Sequence, residues 1–306
     1  MHDLKQEHTI NDHELWSKVS RNLFILIAII LSVQMLIEII MQGNMPELRN
    51  EDWYSLVLSI ISIDIIAFPI FYVLMRNIPN SNTGIIKRMG TKNFVIASSM
   101  CLGLGFIGNI IGLIFNIIFT IIKGGKIVNP AIDMLQNGNP IFFIIYGVIL
   151  APIVEEIIFR KLLLDKIRRY GDLIAVLTSG IAFGLMHMNL HQFFYATALG
   201  IMFAYITIKT NTIRYSIAIH MLINLSATIM GLLLAKEEYV TYAIIFVLIY
   251  LTVLTAGICL LLINFKKIKF EVADVIILDK KKIIFNSWTM CYILICIIFV
   301  ILNILN

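Results

Sequence analysis

The feature that most constrains this chain is a series of apolar runs, each about as long as the 20-residue helix that crosses a bilayer. The 306-residue chain is 59% apolar and only 14% charged, which is too little charge for a soluble domain. We therefore predict an all-α, polytopic bundle of about nine transmembrane helices. The runs lie near 22–42, 53–75, 94–122, 140–160, 172–188, 191–208, 212–234, 239–264 and 286–304.

The fifth run, 172–188, is the least regular because it is short and ends in His187 and Asn189. Eight spans with one re-entrant piece therefore stay open as an alternative. Two loops are predicted to contain local structure. The loop 123–139 is expected to hold a short interfacial helix, and the segment 265–285 a hairpin or a surface helix.

Basic residues orient the bundle. Under the nine-span arrangement most of the 24 Lys and Arg residues fall on one side, and only four fall opposite: Arg49, Lys123, Lys126 and Lys236. The positive-inside rule places the richer side, with the N-terminus and the 160–171 turn, in the cytoplasm. The net charge of +5 does not indicate nucleic-acid binding, because the excess is spread over loops that flank the membrane.

The stretch LAPIVEEIIFRKLLLDK, residues 150–166, places three charged residues in an apolar helix. Charges inside a membrane are costly, so each is a candidate functional residue. Glu156 and Arg160 are four residues apart, which favours an ion pair on one helix face. Glu155 points about 100° away and lacks that partner. We expect Glu155 to be chemically active, although a purely structural ion-pair cluster is the alternative.

His187 is predicted to lie at the depth of Glu155. Gly171 marks a turn between two helices, and Asp172 is expected to cap the second. Glu155 and His187 lie equally far from Gly171 in sequence, about 24 Å along each helix. His191 follows His187 at the spacing of metal ligands, but Asn189 is expected to break the helix between them, which disfavours a shared metal.

A third pair, His220 and Asn224, shares one face of the seventh run. Taken alone, it indicates an interhelical hydrogen-bonding pair. Two further intramembrane acids, Glu38 and Asp64, have no histidine in their runs. We expect them to face the bundle interior, paired with each other or with backbone, and Pro69 suggests a kink near Asp64.

Together, Glu155-Glu156-x-x-x-Arg160, Phe183-x-x-x-His187 and His220-x-x-x-Asn224 on successive apolar helices resemble the CPBP family of CAAX proteases and bacteriocin-processing proteins, also called Abi. The resemblance covers roughly residues 140–230. It divides the chain into an N-terminal tail with three helices (1–139), a catalytic core (140–235) and C-terminal helices with a cytoplasmic loop (236–306).

The resemblance implies an intramembrane endopeptidase that hydrolyses a peptide bond near the cytoplasmic surface. Glu155 would be the general base, and His187 would help hold the water. His220 and Asn224 would stabilise the oxyanion, and Glu156, Arg160 and Phe183 would support the site. The implied partners are the lipid bilayer and a peptide or protein substrate. High use of Ile, Lys and Asn is typical of an AT-rich bacterial genome, so we expect a bacterial cell membrane as the location.

The resemblance leaves two questions open. We favour a glutamate-type reaction without a cofactor, because a zinc ion bound by Glu155, His187 and His220 would leave no obvious general base. A zinc metalloendopeptidase is the alternative. The polar residues could also belong to a non-enzymatic bacteriocin self-immunity protein or a membrane transporter, although the paired halves with broken helices that are typical of transporters are not evident.

Overall fold

The fold is a bundle of helices in a computed structural model that describes residues 2–51, 53–81, 84–124, 140–235, 237–271 and 284–305. These residues form nine main helices and no strand. The helices are α1 (His2–Asn44), α2 (Tyr54–Arg76), α3 (Thr91–Lys123), α4 (Pro140–Tyr170), α5 (Asp172–Met186), α6 (Leu190–Thr210), α7 (Arg214–Leu234), α8 (Glu237–Lys267) and α9 (Ser287–Leu305).

Eight of these described helices are long and apolar enough to cross a membrane. The exception is α5, whose 15 residues extend only about 22 Å at 1.5 Å per residue. The predicted all-α membrane bundle is confirmed, and its fifth helix is the short one. Most of the predicted structure in the 123–139 loop and the 265–285 segment lies outside the described residues.

Large apolar side chains cover the outside of the bundle. On α3 they follow one another almost without interruption through its second half: Ile107, Ile110, Ile111, Leu113, Ile114, Phe115, Ile117, Ile118, Ile121 and Ile122. Such a surface suits hydrocarbon, whereas on a soluble protein an apolar patch of this extent marks an interaction site or promotes aggregation. The described helices are therefore those of a multi-pass membrane protein.

Glycines let the central helices approach one another closely. Helix α6 packs against α5 and α3, and α3 packs against α8. A Cβ atom on Gly103 of α3 would lie 2.7 Å from the backbone nitrogen of Ile258 in α8. A Cβ atom on Gly108 would lie 2.6 Å from the Cα atom of Tyr195 in α6. Small residues at these positions allow contact through the backbone, which is how helices commonly associate in membranes.

The turn between α4 and α5 differs from the prediction in one respect. Gly171 has φ 104° and ψ 145°, a conformation that favours glycine, and it occupies the capping position itself. The Asp172 carboxylate accepts hydrogen bonds from Arg168 Nε at 3.1 Å and from the backbone nitrogen of Glu271 at 3.0 Å. The prediction that Asp172 caps α5 is wrong, since Gly171 is the N-cap and Asp172 is already the first helical residue.

The predicted break between His187 and His191 is confirmed. Met188 has a positive φ of 50°, and Asn189 is extended. The Asn189 side chain then caps α6 by accepting a hydrogen bond from the backbone nitrogen of Gln192 at 3.1 Å. Because the chain changes direction here, His187 and His191 do not share a helix face.

Three stretches of the described helices are π-helical rather than α-helical. They are Ile60–Ala67 in α2 and both Ile144–Leu150 and Ile157–Leu164 in α4. A proline, Pro69 or Pro152, follows each of the first two by two residues and has no backbone N–H for the regular α-helical bond. Such wide turns are rare and are frequently found at functional sites.

Candidate active site

The two adjacent glutamates lie in the α-helical segment Ala151–Glu156, between the two π-helical stretches of α4. They differ in environment. The side chain of Glu156 is completely buried, whereas that of Glu155 is 19% exposed. One glutamate is therefore sealed in the protein interior, and its neighbour remains accessible to a ligand or to water.

Glu156 pairs with Arg160 one helical turn further on. Arg160 Nη1 lies 3.3 Å from Glu156 Oε1, and neither side chain is exposed. Arg160 Nη2 also donates a hydrogen bond to the carbonyl oxygen of Gly200 in α6, at 3.3 Å. The guanidinium carbon lies 4.6 Å from the ring centre of Phe183 in α5, a distance suited to a cation–π contact. Arg160 thus joins three helices.

The reach of Arg160 to α6 depends on two glycines. A Cβ atom on Gly200 would lie 2.9 Å from the Cα atom of Gly180 in α5 and 3.0 Å from the Phe183 ring. Since real Cβ atoms do not come so close to backbone atoms, α5 and α6 can pack at this distance only with glycine at position 200. The same approach positions the Gly200 carbonyl for the guanidinium.

His220 of α7 lies between the two glutamates. Its Nδ1 is 3.3 Å from Glu156 Oε1, and its Nε2 is 3.6 Å from Glu155 Oε2. The ring is almost fully buried, 5.0 Å from the Phe203 ring and 5.8 Å from the Phe183 ring. Sequence spacing predicted neither contact, because nothing in the sequence shows which helix faces Glu155.

His187 lies near this group without touching Glu155. Its Nδ1 is 2.9 Å from the carbonyl oxygen of Phe183, and its ring packs edge-on against the Phe183 ring at 5.0 Å. No hydrogen bond or ion pair joins His187 to Glu155 among the described residues. Because Phe183 contacts both histidine rings, His187 and His220 surround a shared aromatic side chain.

Asn224 is anchored one turn beyond His220. Its Nδ2 donates a hydrogen bond to the carbonyl oxygen of Gly147, at 2.7 Å. Gly147 belongs to the π-helical stretch of α4 that directly precedes the segment with the two glutamates. An amide nitrogen carries two hydrogens, which leaves one N–H of Asn224 for another acceptor.

The two other intramembrane acids, Glu38 and Asp64, do not pair with each other. The predicted pairing between them is therefore wrong. Glu38 Oε2 instead accepts a hydrogen bond from Arg49 Nε, at 2.9 Å. Both carboxylate oxygens of Asp64 are buried. The Asp64 side chain interacts with the Tyr146 hydroxyl and, through its charge, with Glu155. Tyr146 carried no signal in the sequence.

The three side chains considered as zinc ligands do not converge. No group of three or more His, Cys, Asp or Glu side chains in the described ranges is arranged to hold a metal ion. His187 is directed to the Phe183 carbonyl, and His191 lies 2.9 Å from the side-chain oxygen of Asn109. In this arrangement these described donors do not fit a zinc ion.

Comparison with known proteins identifies the same part of the chain. Residues 137–226 match the family described as "Type II CAAX prenyl endopeptidase Rce1-like". A curated relative, the "Putative membrane peptidase YdiL" of Bacillus subtilis (strain 168), is 24% identical over 225 residues. The alignment covers 72% of this chain and 89% of that protein. No solved structure matches the chain.

Proposed function

We propose that the chain, whose residues 137–226 match the Rce1-like family, is an intramembrane endopeptidase of the CPBP family with Glu155 as its general base. The observation that carries the proposal is the position of His220 between the accessible Glu155 and the buried Glu156. One imidazole thereby links a carboxylate that a substrate can reach to a carboxylate that only the protein contacts.

Each buried group has a distinct task in this proposal. Arg160 neutralises Glu156, which avoids an isolated charge in a low-dielectric interior. Glu156 orients the His220 ring through Nδ1, as carboxylates commonly do for catalytic histidines. The ring then presents Nε2 to the Glu155 side of the site. The Glu156–Arg160 pair therefore supports the chemistry without touching the substrate.

The reaction needs only water and these side chains. Glu155 removes a proton from water, and the resulting hydroxide attacks the peptide carbonyl carbon. The negative charge that develops on the carbonyl oxygen is stabilised by the free N–H of Asn224 and by the His220 ring. As the C–N bond breaks, Glu155 transfers its proton to the leaving amine. His187, beside the shared Phe183 ring, helps to hold the water.

Proximity supports Glu155 as the proton acceptor. The distance of 3.6 Å between His220 Nε2 and Glu155 Oε2 is longer than a strong hydrogen bond, so a reacting group can fit beside both atoms. Glu156 has no comparable access because its side chain is sealed. We assign no cofactor, although chelation of zinc remains a direct test of that choice.

The proposed substrate is a peptide or protein segment that reaches the bilayer from the cytoplasm of a bacterial cell, because lipid supplies no water for hydrolysis. Secreted peptide precursors, such as bacteriocins or pheromone-like peptides, suit this arrangement as well as CAAX peptides do. The family's name by itself does not determine the cleaved sequence.

The test is hydrolysis of a pool of fluorogenic peptides by purified protein in lipid nanodiscs. We expect cleavage by the wild type, none by Glu155→Gln, and wild-type cleavage by the matched control Glu38→Gln. Glu38 is also an acid in a membrane helix, but it pairs with Arg49 away from the site. Equal cleavage by wild type and Glu155→Gln would exclude Glu155 as the base.

Two further arms complete this experiment. Incubation with a zinc chelator should leave the rate unchanged, and loss of activity that zinc restores would favour the metalloendopeptidase alternative. If neither wild type nor Glu38→Gln cleaves any peptide in the pool, the result would favour an immunity protein or a transporter over a peptidase.

A further inference from the structure

A cavity of about 270 Å³ lies where the predicted cytoplasmic ends of α4 and α6 meet the turn into α7. Neither Glu155 nor His220 lines it, so it is a different space from the candidate active site. Its described lining combines basic, neutral polar and apolar side chains. Pockets for drug-sized ligands measure about 300–1,000 Å³, so a cavity of this size suits a smaller polar group.

Positive charge predominates in this cavity. Arg160, Lys161 and Arg168 line it, and Asp165 is the one acid among its described lining residues. Lys161 is exposed and forms no ion pair with any described residue. Arg168 pairs with Asp172, which does not line the cavity, and 18% of the Arg168 side chain stays exposed. The cavity therefore favours an anion over a cation.

Two further features of the cavity wall favour an anion. The Nε atom of Arg160 is buried and has no hydrogen-bond acceptor among the described residues. Helix α7 begins beside the cavity, and its N-cap residue, Ile213, offers no side-chain oxygen to the N–H groups of the first turn. Such N–H groups, at the positive end of the helix dipole, commonly bind phosphate or carboxylate.

Tertiary contacts hold one wall of the cavity in place. The loop before α3 crosses the end of α6, where the backbone nitrogen of Lys87 donates a hydrogen bond to the carbonyl oxygen of Thr210, at 2.9 Å. The side-chain amide of Asn211 donates to the carbonyl oxygen of Gly84. Between these two contacts, Ile86 lines the cavity. The wall thus joins two chain segments that are 127 residues apart in sequence.

The same loop presents apolar and basic side chains together. Ile85 and Ile86 are 87% and 60% exposed, and Lys87 and Arg88 follow them directly. At a membrane surface, apolar side chains enter the acyl region while neighbouring cations stay among the headgroups. Basic pockets between membrane helices on the cytoplasmic side bind anionic headgroups. The surroundings of the cavity therefore favour a lipid over a soluble anion.

We propose that this cavity binds the phosphate of an anionic phospholipid from the cytoplasmic leaflet. Lys161 and Arg168 contact the phosphate oxygens, together with the N–H groups at the start of α7. Ile86 contacts the apolar part of the same lipid. Because Arg160 lines the cavity and also pairs with Glu156, the bound lipid stabilises the helix ends that support the candidate active site. The proposed lipid site does not depend on the peptidase function.

Thermal unfolding of the purified full-length protein in a neutral detergent tests the proposal. Three probes are compared: short-chain phosphatidylglycerol, short-chain phosphatidylcholine and inorganic phosphate. We expect phosphatidylglycerol to raise the unfolding temperature in a saturable manner, because a ligand that binds only the folded state stabilises it. The other two probes should have a much smaller effect. An equal effect of inorganic phosphate, or no saturable effect of phosphatidylglycerol, would overturn the proposal.

Variants separate a specific site from general attraction to charge. Lys161→Gln should raise the half-saturating concentration of phosphatidylglycerol roughly five-fold, the effect of losing one cation near a lipid surface. Lys161→Arg keeps the charge and should bind like wild type. The matched control is Lys266→Gln, since Lys266 is also exposed at the predicted cytoplasmic surface but lies at the end of α8, outside the cavity. Equal weakening by Lys161→Gln and Lys266→Gln would show non-specific attraction and contradict the proposed site.

Discussion

The Nε2 atom of His220 lies 3.6 Å from Oε2 of Glu155, while the opposite ring nitrogen lies 3.3 Å from Oε1 of Glu156. One histidine of α7 thus contacts two consecutive residues of α4, although 64 residues separate His220 from Glu156. Consecutive helical residues point about 100° apart, so a ring can reach both carboxylates only by lying in the angle between them.

Removal of the charge from Glu156 should destabilise the protein far more than the same change at Glu155. Glu156→Gln leaves Arg160 as a buried charge without its partner, a loss that typically costs about 3–5 kcal/mol. Glu155→Gln changes a partly exposed side chain and should alter the unfolding temperature little. Thermal unfolding of both variants in the same detergent measures the difference, and equal shifts would contradict the separate roles of the two glutamates.

Arg160→Lys should be poorly tolerated although it preserves the charge. A lysine ammonium cannot reproduce the planar contacts of the guanidinium with Glu156, the Gly200 carbonyl and the Phe183 ring. We expect lower thermal stability and lower peptidase activity. The matched control is Lys161→Arg at the neighbouring exposed position, which should resemble wild type. A stable and active Arg160→Lys protein would show that only the charge matters.

His220→Gln should remove most catalytic activity while the protein remains folded. The amide retains polar atoms but cannot contact both glutamates through two ring nitrogens, as His220 does. Loss of such a stabilising group typically lowers kcat roughly 100- to 1000-fold. The control is His191→Gln, since His191 contacts Asn109 of α3 and lies outside the site. Comparable losses in the two variants would point to a general packing defect.

Gly200→Ala should disturb the site from a distance. The new methyl group would lie 2.9 Å from the Cα atom of Gly180 and would force α5 and α6 apart. Arg160 would then lose its acceptor on α6, and we expect reduced thermal stability together with reduced activity. Gly43→Ala provides the control, because no atom lies within 4 Å of a Cβ atom there. Unchanged unfolding of Gly200→Ala would exclude close packing as the role of this glycine.

Membrane class, helix pattern and much of the local pairing could be predicted from the amino-acid sequence. Apolar run length predicts spans because a bilayer requires every backbone polar group to be satisfied within the helix. The Glu156–Arg160 ion pair was predictable because residues four apart always share a helix face. The break at Asn189 was predictable for an equally local reason, since its side chain caps the following helix.

Contacts between helices that are distant in sequence could not be predicted and are seen only in the folded structure. Equal depth favoured His187 as the neighbour of Glu155, yet depth does not specify the rotation of a helix about its axis, and His220 is the residue in contact. Asp64 was predicted to pair with Glu38 or with backbone, because nothing in its own helix indicates that Tyr146 lies nearby. The π-helical stretches rotate these side chains, and the glycine contacts set the helix spacing. Sequence periodicity gives neither the rotation of a side chain about its helix axis nor the distance between two helices, because both depend on how whole helices pack.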